Sequence, residues 1–471
     1  MQHIDKIYLN GEFVTPHGEE YFTLYNPATE EAIGRVRLAD EVDAERAIAA
    51  AKAAFPGWSK TRKAERIEVL QRMHNAVVAC EDALLDAIVT EYGAPKVRGR
   101  WMAQYPADVI AQAIETLENF EFVEQAGHAQ VIMTPVGVAG LITPWNSNAG
   151  FICNKLATAM AAGCTAVIKP SEMSAIQTQI ITEALHKANI PAGVFNIITG
   201  RGEVVGDVIN HHPDIAKISF TGSTAVGKHI VASSAQSLKR VTLELGGKSP
   251  TIILDDADVA QSVPLVLAAG FMNSGQACVA GTRILVPRSR QTEFERAIVE
   301  AISTIQTGDP RDEKTEIGPM VSQKQWQRVQ DYIRLGIEEG ATLLAGGEGR
   351  PCGLEKGWFI KPTLFCGHNQ MRIAREEIFG PVLVLIPYDD EAEALAIAND
   401  THYGLSALVL SGDHQRGIRL AQQIESGRVM VNTLAHEPKA PFGGFKQSGL
   451  GREMGKWGMQ AYLEAKAIMA G

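Results

Sequence analysis

With 471 residues, 45% of them hydrophobic and 21% charged, the chain is long enough for two or three domains and has the balance of a soluble globular protein. A formal net charge of −10, with no basic block to offset it, argues against a nucleic-acid partner. The longest apolar candidate, 263–272, is about half a bilayer span and contains Pro264, and residues 1–6 lack the pattern of a secretory signal, so no membrane partner is expected. The six cysteines, Cys80, Cys153, Cys164, Cys278, Cys352 and Cys366, form neither CxxC pairs nor zinc-ligand spacings. The expectation is therefore no metal and a reducing, cytoplasmic setting.

Residues 7–9 and 13–14 flank Asn10-Gly11 and predict a hairpin. Residues 40–55 and 61–92 read as helices, the second carrying Ile67, Leu70, Met73, Val77 and Leu84 at helical spacing. From residue 136 the pattern becomes strand 136–142, helix 148–162 closed by Gly163, strand 165–169, helix 173–188 and strand 194–198. A short helix 202–210, strand 215–220, helix 223–233 and strand 240–245 follow. Short apolar strands alternating with helices imply an α/β fold with a doubly wound parallel sheet, whose ligands sit at the carboxyl ends of its strands. Beyond Gly246 a second α/β series is read as a separate lobe: helix 257–269, strands 283–286 and 382–387, helix 391–399, and strands 406–410 and 428–432.

Several motifs fall at the strand ends. Gly200 to Gly206 and Gly222 to Gly227 each follow a strand and open a helix; the glycines serve either helix packing or a pyrophosphate met by helix amides and the Ser223 hydroxyl. Lys169-Pro170-Ser171-Glu172 is either a surface turn or a ribose site. Cys278 lies in a loop of small and polar residues, 273–281, unlike the setting of an inert buried cysteine. Glu244 and Asn146 end two further strands. A thiol, a carboxylate and an amide donor are the nucleophile, base and oxyanion donor that acyl chemistry needs.

These motifs occur in an order that resembles the aldehyde dehydrogenase superfamily: Pro144-Trp145-Asn146, Lys169-Pro170-Ser171-Glu172, Phe220-Thr221-Gly222-Ser223, Glu244-Leu245-Gly246-Gly247-Lys248 and Gly275-Gln276-Ala277-Cys278. Glu376 to Pro381 and Pro441 to Lys446 complete a likeness that runs essentially end to end. The resemblance implies a Rossmann-like NAD(P)-binding domain at 1–116 and 136–246, a catalytic domain at 247–455, and small β oligomerisation elements at 117–135 and 456–471. The terminal strand is expected to pair across subunits, giving a homodimer or homotetramer.

By the same resemblance, Cys278 attacks the aldehyde carbon, Asn146 and the Cys278 backbone N–H hold the oxyanion, and hydride passes to the nicotinamide. Water activated by Glu244 then hydrolyses the thioester. The implied cofactor ligands are Ile142, Thr143, Trp145, Lys169, Glu172, Gly202, Phe220, Gly222, Ser223, Glu377 and Phe379. NAD is preferred because Glu172 would repel the 2′-phosphate of NADP; NADP remains possible beside Lys169. Lys155 and Glu453 match positions sometimes given a proton-relay role, and could equally be a structural ion pair. Ser147, Phe151, Asn154, Met272, Ala277, Val279, Leu434, His436 and Glu437 are implied to line the substrate tunnel. With Phe151 the sole hydrocarbon aromatic among them, the tunnel is expected to be wide and polar, favouring a medium-sized or polar aldehyde over acetaldehyde. A coenzyme-A-acylating relative is disfavoured by Glu244, a non-catalytic member by the intact Cys278, Glu244 and Asn146, and a thiol hydrolase by the cofactor residues.

Overall fold

The strands Val138–Ile142, Thr165–Lys169, Phe195–Ile197, Ile215–Thr221 and Arg240–Glu244 form the parallel heart of an eight-stranded sheet in a computed structural model that describes residues 1–470. In chain order they lie third, second, first, fourth, fifth across the sheet, so the order reverses between Val138–Ile142 and Ile215–Thr221. Such a reversal opens a crevice at the carboxyl ends. Register makes those ends a row: Ile142 pairs with both Lys169 and Phe220, and Thr221 pairs with Glu244. The first two strands are buried throughout, as expected for strands covered on both faces.

The first hairpin forms as predicted. Asn10 and Gly11 both take positive φ, and Tyr8 joins the sheet edge antiparallel to Ile197. Helix Asn148–Ala162 ends where expected, with Gly163 at φ +92°. A side chain there would sit 2.6 Å from the Arg66 guanidinium, so both conformation and space require glycine.

Other expectations fail locally. The single helix over 61–92 is instead Lys63–Val78, Glu81–Ala87 and a π-turn Ile88–Tyr92, because Cys80 leaves helical geometry at φ −112°, ψ 10°. Helix Lys96–Glu118 is long and went unforeseen. Gly99 and Pro106 weaken its intrinsic propensity, and packing on Asn148–Ala162 and Lys63–Val78 supplies what the local sequence lacks.

The second sheet has seven strands, with Thr363–Cys366, Val382–Tyr388, Arg283–Pro287, Pro250–Ile253, Ser406–Leu410 and Arg428–Val431 running parallel in that order. The two lobes are interleaved in sequence, since strand Gly449–Leu450, within the stretch assigned to the catalytic part, pairs with Leu243 and Glu244 of the first sheet.

A third unit is an antiparallel sheet of Val123–Ala126, Ala129–Pro135 and Leu463–Met469. This corrects one expectation: the terminal strand pairs along its whole length with Ala129–Pro135 of its own chain, not first with another subunit. Helix Gly455–Gln460, packed on Lys96–Glu118 and Asn148–Ala162, delivers it there. Among the described residues no helix is long and apolar enough to cross a membrane, and no cluster of three or more His, Cys, Asp or Glu side chains could hold a metal ion.

Candidate active site

The loop bearing Cys278 is wound left-handed. Asn273, Ser274 and Gly275 have φ of 55°, 58° and 75°, an arrangement costly for the two non-glycine residues and held here by tertiary bonds. Ser274 Oγ accepts the Gly318 N–H at 2.9 Å. Gln276 accepts from Val321 N–H at 2.9 Å and donates to Pro319 O at 3.3 Å. Gly275 lies against Gly380, where a Cβ would come within 2.2 Å of the carbonyl. These clamps place Cys278 and Asn146 on one cavity of about 280 Å³. The Asn146 amide donates one N–H to Gln276 O at 3.0 Å, leaving its second N–H for another acceptor.

Glu244 does not line that cavity. It is buried under Gly443, whose missing side chain would lie 2.7 Å from Oε1, and neither carboxylate oxygen has a hydrogen-bond partner. Burial, with Glu453 adding to it, raises its pKa well above the usual carboxylate range. The Cys278 thiol is pushed up to about 12 by burial and by the carboxylates of Glu377 and Glu244, with Arg428 acting in the opposite direction. Lys155 and Glu453 form a buried ion pair, with Ser219 hydrogen-bonded to both at 2.9 and 3.0 Å and Asn154 donating to Glu453 at 3.2 Å.

On the first sheet, Lys169 donates to Pro170 O and Gly200 O at 2.9 and 2.8 Å, and lies 3.6 Å from Glu172. Arg201, which no strand-end motif singles out, is also 3.6 Å from Glu172 and pairs with Glu20 at 2.6 Å. Gly202 opens a π-turn ending at Gly206. The Ser223 hydroxyl caps helix Thr224–Ser234, and the Phe220 ring folds over Gly222, where a Cβ would be 2.4 Å away. Thr143 N–H bonds to Lys169 O at 3.1 Å, tying adjacent strand ends. Trp145 meets Phe379 edge to face at 5.5 Å, and Trp145, Glu172 and Arg201 share one broad surface cleft. Glu377 accepts the Gly247 N–H through Oε1 at 3.0 Å, and its other oxygen would lie 2.5 Å from a Cβ at Gly246.

The tunnel residues are placed as expected except Glu437, which does not line the cavity and accepts the Lys439 N–H instead. Phe151 is not the sole aromatic on the tunnel. Trp101 and Tyr105, stacked at 4.7 Å, enter from helix Lys96–Glu118, and Phe442 enters from the loop before Gly443. Arg98 and Arg428 also line it and were missed. Arg98, Trp101 and Tyr105 recur at helical spacing, a signal legible only once that helix is recognised.

The aldehyde dehydrogenase family model matches residues 13–468. The chain belongs to the aldehyde dehydrogenase family. It is 44% identical to a 3-succinoylsemialdehyde-pyridine dehydrogenase from a Pseudomonas species, over 100% of this chain and 99% of that protein. Among solved structures it matches, with a TM-score of 0.97 and 44% identity, a cysteine-to-alanine mutant of aldehyde dehydrogenase C from Pseudomonas syringae in complex with NAD+ and octanal, covering 99% of this chain and 96% of that one. A Mycobacterium tuberculosis aldehyde dehydrogenase complexed with NAD+ matches at 0.97 and 38% identity, over 100% and 99% of the two chains.

Proposed function

We propose that this aldehyde dehydrogenase converts an aldehyde, NAD+ and water into a carboxylate, NADH and two protons, with Cys278 as nucleophile. The observation that carries this is the meeting of the Cys278 thiol and the Asn146 amide on one cavity, with an unpaired carboxylate, Glu244, buried within electrostatic reach of the thiol. The thiol releases its proton to solvent as sulfur bonds to the carbonyl carbon, and the developing oxyanion accepts from the Asn146 side chain and the Cys278 N–H. Glu244, made strongly basic by its dry setting, takes the proton from the water that cleaves the thioester.

The donor set at the ends of the first sheet, completed by Glu377 of the second lobe, suits a dinucleotide. Glu172 and Lys169 would hold the adenosine ribose, Ser223 and the amides of its helix the pyrophosphate, and Glu377 the nicotinamide ribose, with Ile142, Thr143, Trp145, Gly202, Phe220, Gly222 and Phe379 forming walls. Gly246 and Gly222 support this fit, since a side chain at either would fill space that Glu377 or Phe220 occupies. When bound, NAD+ accepts the hydride. Glu172 disfavours a 2′-phosphate, while the neighbouring Arg201 makes the preference for NAD partial.

We assign 1–116 and 136–246 to cofactor binding, 247–455 mainly to catalysis, and 117–135 with 456–471 to oligomerisation, in a cytoplasmic homodimer or homotetramer. The two outer edges of the third sheet, with exposed Val123, Ile468 and Met469, support that assembly. The test is NADH formation from a panel of aldehydes. Turnover lost in Cys278→Ala is the expected result, and substantial turnover retained in that variant overturns the mechanism.

A further inference from the structure

The two buried arginines of this protein, Arg283 and Arg66, are each held by several acceptors. Arg283 donates to three carbonyls and to Asn369, all at 2.8 to 2.9 Å, and Arg66 donates to Thr61 and two carbonyls. The two arginines on the Cys278 cavity differ. Arg98 makes no hydrogen bond or ion pair among the described residues, and its Nε is buried without a partner. Its guanidinium carbon lies 4.0 Å from the centre of the Trp101 ring, which is itself stacked on Tyr105. Arg428 has a single hydrogen bond, to Ser406 Oγ at 3.3 Å, and lies 5.7 Å from the centre of the Phe442 ring. The one carboxylate lining the cavity, Glu453, is taken by Lys155, Ser219 and Asn154. A guanidinium keeps its proton, so two half-buried guanidinium groups on an aromatic-lined cavity, with N–H donors to spare and no free carboxylate beside them, suit an anionic ligand.

We propose that the substrate is an oxo acid, an aldehyde bearing a carboxylate at its far end, which Arg98 and Arg428 bind while the carbonyl meets Cys278. This rests on the assignment of Cys278 as the nucleophile. The product is then a dicarboxylate. Planar guanidinium groups suit a carboxylate because each can donate two parallel N–H bonds. A purely apolar tail would leave both cations desolvated and unpaired. A quaternary ammonium tail, which the aromatic rings alone would accept, is repelled by the same cations.

The test compares kcat/KM for an ω-oxo acid, its methyl ester and the unbranched aldehyde of the same chain length. The acid is expected to exceed the ester by roughly tenfold or more, the range for losing one charged hydrogen-bond partner. Arg98→Gln and Arg428→Gln are each expected to lower the acid-to-ester ratio by roughly tenfold, mainly through KM, and Arg98→Lys to restore part of it. Inhibition of ester oxidation by a dicarboxylate, weakening with salt, supplies a readout on the wild type should a variant fail to fold. If the ester and the plain aldehyde are oxidised but the acid is no better, or both Gln variants keep the ratio, the oxo-acid assignment falls alone. An absence of dicarboxylate inhibition overturns it as well. If none of the three yields NADH, the aldehyde dehydrogenase reading falls with it.

Discussion

The cofactor row and the Cys278 cavity are built in different ways. The row is a property of one sheet: Ile142, Lys169, Thr221 and Glu244 come into line because their strands are in register, and each motif follows its strand directly in sequence. The cavity has no such frame. Its walls come from helix Lys96–Glu118, the loop after Ile142, the left-handed loop before Cys278, strand Arg428–Val431 and the Phe442 loop. Backbone ladders therefore position the cofactor residues of the first sheet, while packing between distant segments positions the substrate residues and Glu377.

The largest effect that tests this division is at the cavity. Cys278→Ala should abolish dehydrogenase turnover while NAD+ binding, measured by fluorescence titration, stays near wild type, because the row does not depend on the thiol. Loss of NAD+ binding in that variant would break the separation. Asn146→Ala should lower kcat by on the order of a hundred- to a thousandfold, the usual cost of one oxyanion donor, with the cofactor KM little changed.

The mirror experiment is Gly246→Ala. Its Cβ would fall 2.5 Å from Glu377 Oε2, so the carboxylate must move. The expected result is an increase of about tenfold or more in KM for NAD+, from loss of a charged hydrogen-bond acceptor. An unchanged KM would show that Glu377 is not a cofactor ligand.

Glu244 ends a strand of the row and lies within electrostatic reach of the Cys278 thiol, and its pH behaviour is the finest probe. Its raised pKa means that the basic form grows as pH rises, so where thioester hydrolysis limits, kcat should climb through that pKa; in Glu244→Gln this limb should vanish and a burst of NADH remain. Stability moves the other way. The folded state holds the Glu244 proton more tightly than the unfolded chain, so stability present at low pH is lost as pH rises through the raised value. Glu244→Gln should therefore lose less Tm than wild type as pH rises from the ordinary carboxylate range into the alkaline range, and equal losses across that whole span would show that Glu244 is not desolvated in solution.

What the sequence determined by itself was whatever is written in consecutive residues. The alternation of apolar strands and helices, the Asn10-Gly11 turn, the Gly163 cap and the strand-end motifs were all legible, since register and capping act over a few positions. Tertiary structure alone decided the rest. Helix Lys96–Glu118 forms despite Gly99 and Pro106 because its buried face is covered by neighbours far away in sequence. That helix turns Arg98, Trp101 and Tyr105 onto the cavity, adding two cavity aromatics and a cation that no strand-end motif announces. The terminal strand is likewise paired within its own chain because a preceding helix docks it there. Local propensities differ by about 1 kcal/mol per residue or less for ordinary side chains, and the burial of an apolar face outweighs them, so long-range packing settles what spacing leaves open.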